Sequence, residues 1–150
     1  MKMIRLLYAV PLILLSACYT LEPPCIFGPT PLLSITAVTG GETSLSEVTL
    51  SNFGFEGAPA SPQTLFEIDQ KTGSPEANTT FVNDTILCEL PCRFGFEAEE
   101  GKYAFDVSAA GYKTERTEVE AEYEMLPPAR CSPSRATKVR LELDLEPLNN

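Results

Sequence analysis

Apolar and polar positions alternate with a period of two through the last third of the chain. In KYAFDVSA, 102–109, Tyr103, Phe105, Val107 and Ala109 share one face, and Lys102, Ala104, Asp106 and Ser108 share the other. In TEVEAEYEM, 117–125, Val119, Ala121, Tyr123 and Met125 stand opposite Glu118, Glu120, Glu122 and Glu124. TKVRLELDLE, 137–146, sets Val139, Leu141, Leu143 and Leu145 against Lys138, Arg140, Glu142, Asp144 and Glu146. Successive side chains of a strand point to opposite faces, so each segment reads as a strand with one wet side. Glutamate and alanine favour helix in 117–125, but strict alternation outweighs a weak intrinsic preference.

The earlier half is less regular. LLSITAVT, 32–39, is a β-branched apolar run closed by Gly40-Gly41 and predicts a strand and a turn, and SLSEVTLS, 44–51, predicts a second strand. NFGFEGAPASPQ, 52–63, with Gly54, Gly57, Pro59 and Pro62, predicts a long loop whose Phe53 and Phe55 fold back onto the core. TLFEID, 64–69, predicts a short strand, QKTGSPEAN, 70–78, a turn-rich connection, and TTFVNDTILCEL, 79–90, one further strand. About seven short strands with one apolar face each predict an all-β domain, an antiparallel β-sandwich over 32–146 with a tail at 147–150. No helical domain is evident.

The first residues do not belong to that pattern. MKMIR carries two cations, and LLYAVPLILLSA adds 12 nearly unbroken apolar or small residues. That run is too short to span a ~30 Å hydrocarbon core but suits a secretory signal, here 1–17. Leu15-Ser16-Ala17-Cys18 resembles the lipobox of bacterial lipoproteins. The resemblance implies lipid attachment at Cys18, with diacylglycerol on sulfur and an acyl chain such as palmitate on nitrogen. Several chains anchor stably because each buried methylene contributes about 0.8 kcal/mol. YTLEPPCIFGPTP, 19–31, has four prolines and a glycine and reads, with Cys18, as a tether over 18–31. Tyr19 is not the aspartate of inner-membrane retention, which points to the outer membrane, on its periplasmic or surface face. Loss of Lys2 and Arg5 with the leader takes the net charge from −10 to −12. So acidic a surface repels nucleic acid and anionic headgroups.

Five cysteines leave at least one without an intramolecular partner. Cys25, Cys88, Cys92 and Cys131 form an even set in an exported chain, and disulfides follow. Of the three pairings open to them, Cys92 with Cys131 and Cys25 with Cys88 is preferred, because Cys88 and Cys92 closely flank Pro91. A four-thiolate zinc site is the alternative, disfavoured by the oxidising compartment and the absence of histidine.

GKYAFDVSAAGYKTERTEVEAEYE resembles the carboxypeptidase regulatory-like domain, a transthyretin-like (prealbumin-like) β-sandwich of bacterial envelope proteins. Gly101, Tyr103, Phe105, Val107, Ala110, Gly111 and Tyr112 carry the likeness, with the strand ending at Tyr123 and the final VRLELDLEP. Gly101 would allow a tight turn into the Tyr103 strand, and Gly111 would let Tyr112 pack over the sheet edge. The family also has cysteines placed like Cys92 and Cys131, which supports the preferred pairing. NDTILCELPCRFGF departs from it, lacking the Asp-Gly turn of many members.

A chain without histidine lacks the usual general base, the common metal ligand and any Ser-His-Asp or Cys-His constellation. Glu97, Glu99 and Glu100 fall in a turn and Glu118 to Glu124 on a solvated face, so no catalytic residue, cofactor or metal is assigned. The sequons at Asn78 and Asn83 read as chance matches. The expectation is a noncatalytic, membrane-anchored lipoprotein that serves as accessory or scaffold to an envelope complex through an unidentified protein partner. The alternatives are a glycan-binding lipoprotein using Tyr103, Tyr112 and Tyr123, and a hydrolase working through carboxylates.

Overall fold

The computed structural model describes residues 25, 27–72, 77–129, 131 and 133–148; Cys18 and the leader lie outside them. The run that follows the prolines forms β1 (Pro31–Gly40). It leads to β2 (Thr43–Ser44), β3 (Glu47–Phe55) and β4 (Ala58–Pro59), then to two short helices, α1 (Pro62–Leu65) and α2 (Glu67–Thr72). Next come β5 (Thr79–Val82), β6 (Thr85–Glu89), β7 (Cys92–Phe96) and β8 (Gly101–Ser108). The chain ends with β9 (Glu115–Ala121), β10 (Tyr123–Met125), β11 (Arg135–Thr137) and β12 (Val139–Asp144).

The strands form two sandwich-like sheets, of four and six strands, and a two-stranded ribbon of β10 and β11. In the smaller, β1 is central, with β12 on one side and β7 and then β2 on the other. The larger runs β5-β6-β3-β8-β9, with β4 on the end of β3. Only Glu122 separates β9 from β10 and only Lys138 separates β11 from β12, and β10 pairs with β11. This ribbon therefore carries the chain from the edge of one sheet to the edge of the other, with Lys138 and Glu122 ion-paired at the two breaks. The class is all-β, as the alternation predicts. One pairing departs from the antiparallel expectation: β12 runs parallel to β1.

Two register shifts explain why the period was hard to follow in the first half. β1 carries an extra residue between Ile35 and Ala37 opposite β12, so the inward set moves from Leu33 and Ile35 to Val38. β3 does the same between Ser51 and Gly54 opposite β8, with Asn52 at φ 49°. Val48 and Leu50 point inward before that bulge, and Phe53 does so after it. The expected 52–63 loop is therefore mostly strand: β3 continues to Phe55 and turns at Glu56-Gly57 into β4. Phe53 is buried and Phe55 packs on Tyr103 at 4.9 Å between ring centroids, as expected of both.

TLFEID is helical, not a strand. Ser61 caps α1 by accepting a hydrogen bond from the Gln63 amide, and Pro62 opens the helix at a position where its missing N–H costs nothing. The helices place Phe66 in the core, where its ring meets Phe53, Phe94 and Tyr103 at 5.8, 5.5 and 5.9 Å. Phe94 of one sheet and Phe105 of the other meet edge-on at 5.8 Å. Residues 79–90 form two strands, β5 and β6, because Asn83 takes φ 51° and turns the chain.

Gly111 turns at φ 87°, and Tyr112 packs over the end of β1, so close that a Cβ on Gly40 would lie 1.9 Å from the ring. Gly101 serves a packing need: a Cβ there would come within 2.8 Å of the Phe55 ring. Residues 147–148 do not trail free. Pro147 bridges to Tyr112, and the Leu148 amide donates to Gly111 O at 2.9 Å.

Candidate functional site

The four cysteines form disulfides, but in the pairing set aside on sequence grounds. Cys25 joins Cys131, and Cys88 joins Cys92, each with Cα atoms 5.6 Å apart. The preferred Cys92–Cys131 and Cys25–Cys88 bridges do not form. Glu89, Leu90 and Pro91 form a corner between β6 of the larger sheet and β7 of the smaller, and the corner folds Cys88 back beside Cys92 within bonding reach. Both sulfurs sit in the core. The pairs are consumed separately, and among the described residues no three His, Cys, Asp or Glu side chains gather as metal ligands.

Cys25–Cys131 belongs to a set of contacts that straps the tether to the domain. The Thr30 amide donates to Glu97 Oε1 at 2.8 Å, and the Glu97 amide donates back to Thr30 O at 3.1 Å. Thr137 Oγ1 donates to Pro31 O at 2.6 Å. The Glu97 carboxylate is ion-paired with Arg135, whose guanidinium lies 4.2 Å from the Tyr123 ring centroid. The Tyr123 hydroxyl lies 3.3 to 3.4 Å from the carbonyls of Thr30, Gly95 and Ala98, and burial pushes its pKa well up.

Beneath this lies Asp69, a buried carboxyl at 7% exposure. Its two oxygens accept from the amides of Gly95, at 2.8 Å, and Phe96, at 2.7 Å, and so fix α2 to β7. Burial dominates over those hydrogen bonds and raises its pKa from 3.8 to about 6. Such a value suits acid–base work, but both oxygens are committed to backbone and the group is covered. The role is structural. Tyr103 is likewise pushed up to about 12 by burial, then by Glu99 and Glu56, and its hydroxyl donates to Glu99 O at 2.5 Å.

The carboxylates considered for hydrolysis are dispersed. Glu97 is held by Arg135, Glu100 accepts from the Tyr123 amide at 2.6 Å, and Glu118 and Glu120 point from β9 into solvent. Nor do the tyrosines offer a stacking platform: Tyr103 and Tyr123 are buried, and Tyr112 is half-buried over Gly40. Asn78, in one of the two sequons, donates from its amide to Pro91 O at 2.8 Å.

A groove of about 610 Å³ opens on the outer face of the smaller sheet at the tether end. Ser34 of β1 is in register with Arg93 of β7 on one side and Arg140 of β12 on the other, so the two arginines flank it in one row across three strands. Adjacent strands lie ~4.8 Å apart, which puts the arginine backbones ~10 Å from each other. Both side chains are exposed, and neither forms an ion pair among the described residues, whereas Arg116, Lys113, Arg135 and Lys138 all do. Sequence reasoning missed this pair. Arg140 was visible as a cation on a strand's wet side, but Arg93 fell outside every expected strand, and only the register sets the two in one row.

No protein-family model, curated protein or solved structure matches this chain. No helix among the described residues is long and apolar enough to cross a membrane.

Proposed function

We propose that this protein is a noncatalytic lipoprotein of the cell envelope, held at a bilayer through Cys18, whose β-sandwich acts as an accessory or scaffold for an envelope complex. The likeness to carboxypeptidase regulatory-like domains belongs to this proposal. The observation that carries it is how the tether joins the domain. Immediately after the short sequence from Cys18, the chain is bridged by Cys25–Cys131 and hydrogen-bonded through Thr30 and Pro31. Cys25 lies seven positions after Cys18, a reach of at most ~25 Å even when fully extended. A sandwich strapped so close to an anchor stands near the headgroups. The dispersed carboxylates and the committed Asp69 favour a binding role over catalysis.

Mass spectrometry of the protein extracted from membranes tests the reading. The expected result is a chain beginning at an acylated Cys18, with Cys18→Ser moving the protein out of the lipid-modified fraction. An unacylated chain retaining Met1 would overturn it. Crosslinking in intact cells, followed by identification of the captured neighbour, tests the scaffold role: capture of one envelope protein in fixed proportion supports it, and no such neighbour refutes it.

A further inference from the structure

We propose that the tether end of the smaller sheet docks on the bilayer surface, with Arg93 and Arg140 gripping the phosphates of anionic lipid headgroups. The proposal rests on the lipid-anchored reading above and adds an orientation to it.

Charge is distributed along β1 in a particular direction. Arg93 and Arg140, which form no ion pair among the described residues, are in register with Ser34, near the strand's tether end. On the same face of β12, Glu142 and Asp144 are in register with Ala37 and Thr39, toward the far end, where Asp144 is occupied by Thr39 Oγ1 at 2.8 Å and the Gly41 amide at 3.2 Å. On this face of the smaller sheet positive charge therefore lies at the tether end and negative charge away from it, and the Glu97 carboxylate at the tether end is ion-paired with Arg135. The larger sheet turns a different surface outward, with Glu118 and Glu120 on β9 and Glu47 opposite Glu89 on β3 and β6. Two packed sheets are ~10 Å apart before their outward side chains are added. With a Debye length of ~8 Å at physiological salt, that acidic face hardly opposes attraction at the groove.

Apolar exposure favours a membrane over an acidic protein segment. Phe27, 46% exposed, and Met125, 74% exposed, both line a second cleft at the same end, beside Arg135. Cations next to an exposed aromatic and a thioether, at the point where a lipid anchor leaves the domain, match the composition of surfaces that sit at headgroup level. Two exposed guanidiniums suit phosphate oxygens, which guanidinium can engage through paired donors; the Ser34 hydroxyl between them is buried and donates to Cys92 O at 3.4 Å.

The test uses the acylated protein purified from membranes and placed in nanodiscs of phosphatidylcholine, with or without phosphatidylglycerol, each carrying a dansyl-labelled lipid. The chain has no tryptophan, so Phe27→Trp supplies a single energy donor at the groove rim. Transfer to the dansyl headgroups should rise in anionic discs and fall back at high salt. In the same background, R93Q/R140Q should lower the docked-to-undocked ratio about 30-fold, since each cation near an anionic surface is worth roughly a fivefold shift. Thermal unfolding of that variant should be unchanged, both arginines being exposed. Equal transfer in both lipids, or a rise that survives the double substitution, overturns the docking. If poly-glutamate added to neutral discs binds the groove as tightly as anionic lipid does, an acidic protein partner replaces the bilayer. A chain that does not stay with discs of either composition sinks the anchored reading instead, so the two failures are distinct.

Discussion

Asp69→Asn isolates the cost of burying one carboxyl. In the folded protein Asp69 titrates near 6 because burial outweighs two backbone hydrogen bonds, and its ordinary value is 3.8. A carboxyl whose pKa is raised by folding contributes stability when protonated, and that contribution is lost as pH rises through the folded value. A shift of about two units corresponds to roughly 3 kcal/mol, most of it lost between about pH 4 and 7. Asparagine is neutral throughout and retains one oxygen for the Gly95 or Phe96 amide, leaving the other weakly paired at a cost of about 1–3 kcal/mol. Denaturant unfolding of both proteins at intervals from pH 4 to 8 removes the background titration of other carboxylates by difference. Near pH 4 the wild type should be the more stable, and the gap should close by about 3 kcal/mol as pH rises, with the variant level or ahead at pH 8. A gap independent of pH, or one that widens with pH, would show that the two amides hold the carboxylate ionised and that burial does not dominate.

Four further outcomes follow from the packing. Tryptic mapping without reduction should find Cys88 and Cys92 bridged within one peptide and Cys25 linked to Cys131; a Cys92–Cys131 crosslink contradicts the fold at the β6–β7 corner. With sequence separations of 106 and 4, the chain-entropy model gives about 4.7 kcal/mol for the long loop and about 2 for the short one. C25S/C131S should therefore lower unfolding stability more than C88S/C92S, after allowance for placing two hydroxyls in the core. Gly40→Ala drives a methyl into the Tyr112 ring and should cost about 1–3 kcal/mol; Tyr112→Ala in the same chain should recover part of it, and additive losses would refute that contact. Thr117 Oγ1 is buried with no hydrogen-bond partner among the described residues, so Thr117→Val should be neutral or raise thermal stability; a clear loss means that the hydroxyl has a partner after all.

How much of this was legible depends on how locally each feature is encoded. β8, β9 and β12 were readable because each has one wet face and keeps a period of two almost throughout. The segment 52–69 was not, because the extra residue at Asn52 shifts the inward set from Leu50 to Phe53. A period analysis registers that shift as the end of a strand. The helix signal at Ser61-Pro62 was present in the sequence, but one helical turn is too short for an apolar period to contradict the strand reading. The disulfides failed for a related reason. Closeness in sequence argued against Cys88–Cys92, and only the corner between sheets makes closeness in space compatible with a bridge.

Charge shows the same limit from another side. Composition gives a single net value, −10 for the full chain and −12 once Lys2 and Arg5 go with the leader, and from it the expectation of a surface that repels anionic headgroups. That inference holds only if a docking surface feels the whole molecule at once. At physiological salt it feels charges within about a Debye length, ~8 Å, and a two-layer sandwich is thicker than that. The outer faces are electrostatically separate, and each must be judged by its own residues. By that measure the β9 face, with Glu118 and Glu120, repels a bilayer, while the row Arg93, Ser34, Arg140 attracts one. No count of acids and bases along the chain could place those two arginines in one row, because the register of β1 with its two neighbours does so.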